Sequence, residues 1–199
     1  MDQQRFTLKR FHHLKKIWSI YMKKLLIALL LSLNTYSSPY SIKDAQVEFQ
    51  AKGFPSFINI NGKTQELNGT FSYDPEKEEI KDLSLTVPLA TLKTGMELRD
   101  EHMTTKYLET DKFPHAEIII DKLNPKAEGK VNATLKLHGK SREIIVEYKR
   151  VSLSQENITF NCQFSIDLSD YAIATPSFQG ISVAKDVKVS VDFTAHNQK

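Results

Sequence analysis

The sequence predicts an all-β domain that holds a single helix, with its strands arranged antiparallel in a sandwich or a closed barrel. Three observations support this fold class. Apolar and polar residues alternate with a period of two from residue 44 almost to the end of the chain, which is typical of strands with one dry face and one wet face. Turn-forming pairs separate the alternating segments. One stretch, residues 94–110, shows helical spacing instead.

Seven or eight strands are expected, because eight segments alternate and the apolar residues of each share one parity. The segments are 45–51, 67–73, 83–87, 116–120, 131–137, 144–148, 158–166 and 187–193. The turn pairs between them are Asn61-Gly62, Asp74-Pro75, Asn124-Pro125, Glu128-Gly129 and Gly139-Lys140. We expect Gly139 to lie in a hairpin turn that returns the chain antiparallel.

The predicted helix begins at Thr94 or Gly95 and ends before Phe113-Pro114. A helix set between the strands of such a chain is expected to pack over a barrel mouth or under its floor. Its apolar residues recur at helical spacing, at Met96, Met103, Tyr107 and Leu108.

The one candidate chemical site lies on this helix, where Arg99, Asp100, Glu101 and His102 follow one another. An acid beside a histidine suggests acid–base or metal chemistry. Asp100 and His102 are two residues apart, however, and so project to different sides of a helix. The sequence has no nucleophile motif, no pair of cysteines and no His-Glu-x-x-His motif. We therefore expect helix capping and a surface ion pair here, and no catalytic residue, metal or cofactor.

The amino terminus predicts export. Lys23-Lys24 precede a nine-residue apolar run, 25–33, and a tail of small polar residues, which together are typical of a secretory signal. The run is too short to cross ~30 Å of hydrocarbon. We expect a signal peptide over residues 1–37, cleaved before Ser38, and a periplasmic or secreted mature chain 38–199 without a membrane span. Met22 is a better start than Met1, so Met1–Tyr21 is either an over-long gene prediction or an extended basic n-region.

Charge argues against a nucleic-acid partner. The chain of 199 residues has 27 basic and 24 acidic side chains. Seven basic residues and one acidic residue lie in 1–37, which leaves 20 basic and 23 acidic residues in 38–199. The mature chain is therefore mildly acidic and lacks the basic surface that phosphate backbones require. No internal repeat or linker is visible, so we expect one domain.

Cys162 is the only cysteine of the chain, so an intrachain disulfide is excluded even in an oxidising compartment. It shares the apolar parity of its segment with Phe160 and Phe164. We expect it to be a small buried apolar residue and not a nucleophile.

The inward-facing residues leave two interpretations of the interior open. Eight strands enclose a space that side chains fill or that holds one small ligand, and periodicity does not decide between a filled core and a tube. If a cavity is present, its predicted wall consists of the inward residues Phe49, Phe71, Leu85, Ile118, Ala133, Leu135, Val146, Phe160, Phe164, Val189 and Val191.

Several stretches resemble the YceI-like family of exported lipocalin-type proteins. The most specific runs from Thr94-Gly95 through Arg99-Asp100-x-His102, followed by Phe113-Pro114-x-Ala116. Residues 129–142 resemble the family's hairpin, and residues 166–189 resemble its carboxyl end. The resemblance covers roughly residues 44–195. Two departures are visible: the family's early Asp-x-x-His-Ser is missing around Asp44, and Leu168 stands where an arginine is frequent.

The resemblance implies an eight-stranded antiparallel lipocalin-like barrel with one helix between strands, holding a long apolar ligand such as a polyisoprenoid or a fatty-acid-type lipid. It implies a binding protein and not an enzyme, with Thr94, Arg99, Asp100 and His102 near the cavity. The identity of the lipid, its carriage, sensing or storage, and a homodimer are left open. Two alternatives remain: an exported adhesion or signalling barrel with a filled core, and an enzyme that uses Asp100 and His102.

Overall fold

A computed structural model of the chain describes residues 38–54, 58–125, 128–178 and 181–198. These residues belong to a compact unit that spans Ser37–Lys199. The predicted signal peptide, residues 1–37, lies outside the described residues, and its role in export stays a prediction. Within the described ranges, no helix is both long enough and apolar enough to cross a membrane.

Ten strands of the described residues form one antiparallel sheet. They are β1 (Ser38–Phe54), β2 (Asn59–Thr64), β3 (Asn68–Asp74), β4 (Glu79–Pro88), β5 (His115–Leu123), β6 (Glu128–Leu137), β7 (Lys140–Leu153), β8 (Asn157–Asp167), β9 (Ser177–Phe178) and β10 (Ile181–Asn197).

The sheet closes into a barrel because β1 pairs with β10 along most of its length, from Tyr40–Asn197 to Phe54–Ser182. The other edge of β1 is shared: its first four residues pair with β3, and its residues 47–52 pair with β2. The closed ring consists of β1, β3 to β8, and β10. The predicted eight-stranded antiparallel barrel is therefore confirmed, and β2 and β9 are two short strands that the sequence pattern did not predict.

One helix lies between the strands, as predicted, but it is shorter than residues 94–110. The α-helix α1 spans Glu97–His102 and continues as a π-helical turn over Met103–Tyr107. Single 3₁₀ turns follow β4 at Leu89–Thr91 and β8 at Leu168–Tyr171.

Two predicted turns have different outcomes. His138 and Gly139 join β6 to β7 with positive φ values of 49° and 70°, as a type I′ hairpin requires, so this turn is confirmed. Asn61-Gly62 was expected as a turn and instead lies inside β2. Gly62 pairs with Phe49, and a Cβ atom there would stand 2.2 Å from the Phe49 ring. The glycine makes room for that ring rather than for a reversal of the chain.

The barrel interior has two parts along its length. The closed half is the cluster of buried residues around Tyr40, Phe71, Ile80, Phe160 and Phe193. The mouth half is a second cluster, which joins the ends of β1, β6 and β10 to the 3₁₀ turns. Its most buried members are Ala51, Leu89, Leu92, Leu135, Leu137, Leu168, Tyr171, Ile173 and Val187.

Candidate ligand-binding cavity

A cavity of about 420 Å³ lies in the mouth half of the barrel. This volume falls in the range of small-molecule sites, roughly 300–1,000 Å³. Its floor is formed by Val47, Leu67, Leu85 and Val191, which also belong to the closed-half cluster. The packed side chains of the closed half therefore end the cavity at that depth.

Strand side chains make the wall because inward residues recur at every second position. β10 alone contributes Val183, Val187, Val189 and Val191. The remaining wall residues are aliphatic or aromatic and come from β1, β2, β4, β5, β6 and β8: Phe49, Ala51, Ile60, Val87, Ala116, Ile118, Leu135, Leu137, Phe164 and Ile166.

The mouth is surrounded by residues of the segments between strands. α1 and the π-helical turn contribute Leu98, Met103 and Tyr107, and β9 with the residue before it contributes Ser177 and Pro176. Met96 and Leu98 line the cavity and are still 56% and 49% exposed to solvent. The cavity therefore opens to the outside beside the first turn of α1.

Of the eleven predicted wall residues, seven line this cavity: Phe49, Leu85, Ile118, Leu135, Phe164, Val189 and Val191. The other four, Phe71, Ala133, Val146 and Phe160, also point inward, but each is at most 4% exposed and packs in the closed half. Their assignment to the cavity wall is corrected here. Strand parity indicates which residues face the interior, and does not indicate how far along the barrel they lie.

The predicted helix motif lies at the mouth. Thr94, Arg99 and His102 line the cavity, whereas Asp100 lies behind them and is 8% exposed. The Asp100 carboxylate accepts hydrogen bonds from the backbone N–H of Thr94, at 2.8 Å, and from its hydroxyl, at 2.5 Å. Arg99 Nε donates to the Thr94 hydroxyl oxygen and Arg99 Nη2 donates to the Thr94 carbonyl, both at 2.8 Å.

These hydrogen bonds to Thr94 replace the helix cap and the surface ion pair that were expected from the sequence. The residue that precedes α1 is Met96, and no side chain caps the helix there. Arg99 and Asp100 instead hold Thr94, a lining residue three positions before the helix. Asp100 is thus a positioning residue that holds the edge of the mouth. Among the described residues, no cluster of three or more His, Cys, Asp or Glu side chains could hold a metal ion.

Two further contacts hold the mouth half together, and neither could be predicted from a sequence pattern. The Tyr107 hydroxyl donates to the Ser177 carbonyl at 3.2 Å and accepts from the Ser177 N–H at 3.1 Å. His138 bridges the Tyr171 carbonyl, 3.0 Å from Nδ1, and the Glu109 carboxylate, 3.1 Å from Nε2. Both join residues more than 25 positions apart, which local patterns do not reveal.

Cys162 is half-buried and packs against the closed-half cluster. Burial and the nearby Asp192 charge raise the pKa of its thiol to about 12. At neutral pH the thiol is therefore protonated and is not a nucleophile. The expected apolar packing of the cysteine is confirmed, although its side chain is half-buried rather than fully buried.

Comparison with known proteins identifies the family. The pattern of the YceI-like domain matches residues 40–195. A UPF0312 protein of Pseudomonas savastanoi pv. phaseolicola is 26% identical over 125 residues, which are 59% of this chain and 65% of that one. A UPF0312 protein of Pseudomonas fluorescens is 24% identical over 186 residues, 84% of this chain and 96% of that one. The chain thus spans just under two thirds of the first relative and nearly all of the second.

A solved structure shares the fold. It is described as a polyisoprenoid binding domain from Saccharophagus degradans implicated in plant cell wall breakdown. It superposes with a TM-score of 0.63 at 16% sequence identity, over 81% of this chain and 99% of that one. At this identity the likeness establishes the barrel and its connections.

Proposed function

The chain belongs to the YceI-like domain family, and we propose that its barrel binds one long apolar lipid, of the polyisoprenoid or fatty-acid type, without turning it over. One observation carries the proposal. The cavity is lined by apolar side chains on β1, β2, β4, β5, β6, β8 and β10, and its polar side chains lie near the mouth. Thr94, Arg99, His102 and Tyr107 belong to the segment between β4 and β5, and Ser177 begins β9. A ligand with an apolar chain and a polar end fits this distribution.

The energetics suit such a ligand. Each methylene that leaves water contributes about 0.8 kcal/mol. Ten buried methylenes contribute about 8 kcal/mol, which the loss of chain and side-chain freedom offsets in part. A polar end that stays at the mouth keeps its hydrogen bonds and does not incur the cost of burial in the apolar wall.

The family supports this choice over an adhesion barrel with a filled core. The Saccharophagus degradans domain is described as a polyisoprenoid binding domain. That statement concerns the other protein, and it supports a polyisoprenoid as the first ligand to test here.

The direct test is mass spectrometry of an organic extract of the protein purified from its own host. We expect about one lipid molecule per chain, with a long unbranched or isoprenoid hydrocarbon. An extract that holds no lipid in molar amounts, together with no uptake of a fluorescent fatty acid, would contradict the proposal.

Two alanine substitutions provide a matched test of the cavity. Ala116 lines it, whereas Ala133 is 2% exposed in the closed half. Ala116→Trp should keep the fold while the indole takes ligand volume, so lipid per mole falls. Ala133→Trp should overpack the core, destabilise the fold by about 1–3 kcal/mol or more, and lower the melting temperature. Equal effects of the two on lipid content would argue against the cavity as the site.

We also propose export, on the basis of the basic residues and the apolar run before residue 38. Amino-terminal sequencing of the protein from its host should begin near Ser38. A chain that still begins at Met1 and stays inside the cell would refute export without bearing on lipid binding.

A further inference from the structure

We propose that the lip of the cavity is a docking surface for an anionic lipid bilayer, through which the ligand enters and leaves. The lip is defined as residues 52–54, 58–64, 93–107, 176–178 and 181–186. This inference rests on the proposed lipid binding and adds the partner from which the lipid is taken or to which it is given.

The first observation is where exposed apolar side chains lie. The described residues include five large apolar side chains that are exposed. Three of them belong to the lip: Phe54 at 71%, Met96 at 56% and Leu98 at 49%. Met96 and Leu98 continue directly into the cavity wall. Exposed apolar surface that is surrounded by charged residues is typical of sites that contact membranes or protein partners.

The second observation is the difference in charge between the lip and the far end of the barrel. The lip carries six basic side chains, Lys52, Lys63, Lys93, Arg99, Lys106 and Lys185, and four acidic ones, Glu97, Asp100, Glu101 and Asp186. One of the four, Asp100, is buried and hydrogen-bonded to Thr94. At the far end of the barrel, residues 74–82 carry five acidic side chains and two lysines. An anionic surface therefore attracts the lip and repels the opposite end.

The ligand's chemistry favours a bilayer over a protein partner. A long hydrocarbon that crosses water exposes every methylene, at about 0.8 kcal/mol each. Contact between the lip and a membrane removes that step, because the exposed residues Met96 and Leu98 join the bilayer interior to the cavity wall. A few apolar side chains with several lysines give weak, reversible attachment, which suits exchange.

The test measures how the protein, as its host produces it, cosediments with vesicles of phosphatidylcholine and phosphatidylglycerol. The lip variant is Phe54→Gln with Lys52→Gln, and neither residue lines the cavity. The control is Val151→Gln with Lys149→Gln on β7. Val151 is 65% exposed and Lys149, two residues before it, is also exposed. We expect the lip variant to bind at least about tenfold more weakly and the control to stay within about twofold.

A second measurement separates this inference from lipid binding itself. Transfer of a fluorescent fatty acid from the protein to acceptor vesicles should become faster as vesicle concentration rises, and slower in high salt. A transfer rate that is independent of vesicle concentration, or equal vesicle binding by both variants, would overturn the docking surface. A preparation that yields no lipid on extraction and takes up no fatty acid would overturn the proposed function, while cosedimentation still tests the lip.

Discussion

The closed half and the mouth half of the barrel share most of their strands and the same alternation, although β3 pairs with β1 in the closed half and β2 does so towards the mouth. The two halves differ in what fills them. In the closed half, aromatic rings meet one another: Tyr40 stacks on Phe71 at 5.1 Å, and Phe160 contacts both Tyr148 and Phe193. In the mouth half, the inward residues are mostly Val, Leu, Ile and Ala, and about 420 Å³ stays open. The size of the inward side chains thus decides which half is a core and which is a site.

The two halves also differ in how they end. The closed half is sealed by side chains, with Tyr40 donating to the Gln155 carbonyl and Tyr148 to the Asn124 carbonyl. The mouth half is covered by backbone segments, α1 and the two 3₁₀ turns. A cover made of segments can shift as a unit, whereas interlocked rings cannot. This difference predicts where substitutions will change stability and where they will change ligand exchange.

The largest expected effect is on the free energy of unfolding, when either of two phenylalanines of β8 that face the same side is replaced by alanine. Phe160 is 1% exposed in the closed half, and Phe164 is half-buried and lines the cavity. Phe160→Ala should lower the free energy of unfolding by about 3–5 kcal/mol, because it leaves a void among rings. Phe164→Ala should lower it by roughly half as much or less, since it enlarges a space that is already open. Urea unfolding of the lipid-free proteins measures both.

Equal losses for the two variants would mean that the mouth half is packed like the closed half in the lipid-free protein. Equal m values in the two unfolding curves are the control, because a changed slope indicates a different denatured state or a loss of two-state behaviour.

The next largest effect is expected from replacing a buried carboxylate by an amide, and each half has one such carboxylate. Asp100 holds Thr94 at the mouth, and Asp74 accepts from the N–H groups of Glu76 and Lys77 in the far turn. Asp100→Asn should cost about 1–2 kcal/mol, because an amide accepts more weakly than a carboxylate. It should also speed fatty-acid release. Asp74→Asn should lower the melting temperature and leave release unchanged.

If Asp74→Asn accelerates release as much as Asp100→Asn does, the distinction between a rigid end and a movable mouth is wrong. The double variant Asp100→Asn with His102→Ala tests the enzyme alternative as well. It should show only the stability loss of its parts, and any substrate turnover that it abolished would restore Asp100 and His102 as catalytic residues.

Much of the fold could be predicted from the sequence because alternation is a local signal. Each of the eight segments that alternate became a barrel strand, and seven of the eight are longer in the structure than their pattern, whereas β3 has the same length and is shifted by one residue. β2 was missed because Asn61-Gly62 is a common turn pair, and only its partner across the sheet, Phe49, shows why a glycine is needed there. That requirement lies between residues far apart in the chain.

The candidate site could be predicted only in part, for a related reason. Parity placed all eleven chosen wall residues inside the barrel, but Phe160 and Phe164 have the same parity and lie in different halves. Depth along the barrel depends on the register between strands, for example Phe164 with Val189 and Phe160 with Phe193. Register is set by strand pairing around the whole barrel, so it cannot be predicted from any single segment of the sequence.

The smallest expected effect concerns single hydroxyl groups at the two ends. Tyr107→Phe keeps the ring at the cavity and removes both hydrogen bonds to Ser177. Tyr148→Phe removes one hydrogen bond to the Asn124 carbonyl at the closed end. Each should lower stability by about 0.5–1 kcal/mol. Of the two tyrosines, Tyr107 joins the helical segment to β9 across the mouth. Tyr107→Phe should therefore speed fatty-acid release, by about two- to fivefold for the same free energy, and Tyr148→Phe should not. Stopped-flow release into excess vesicles measures the rates. Equal rates for Tyr107→Phe and the unsubstituted protein would show that the ligand leaves without separating Tyr107 from Ser177, and would move the exit to another part of the lip.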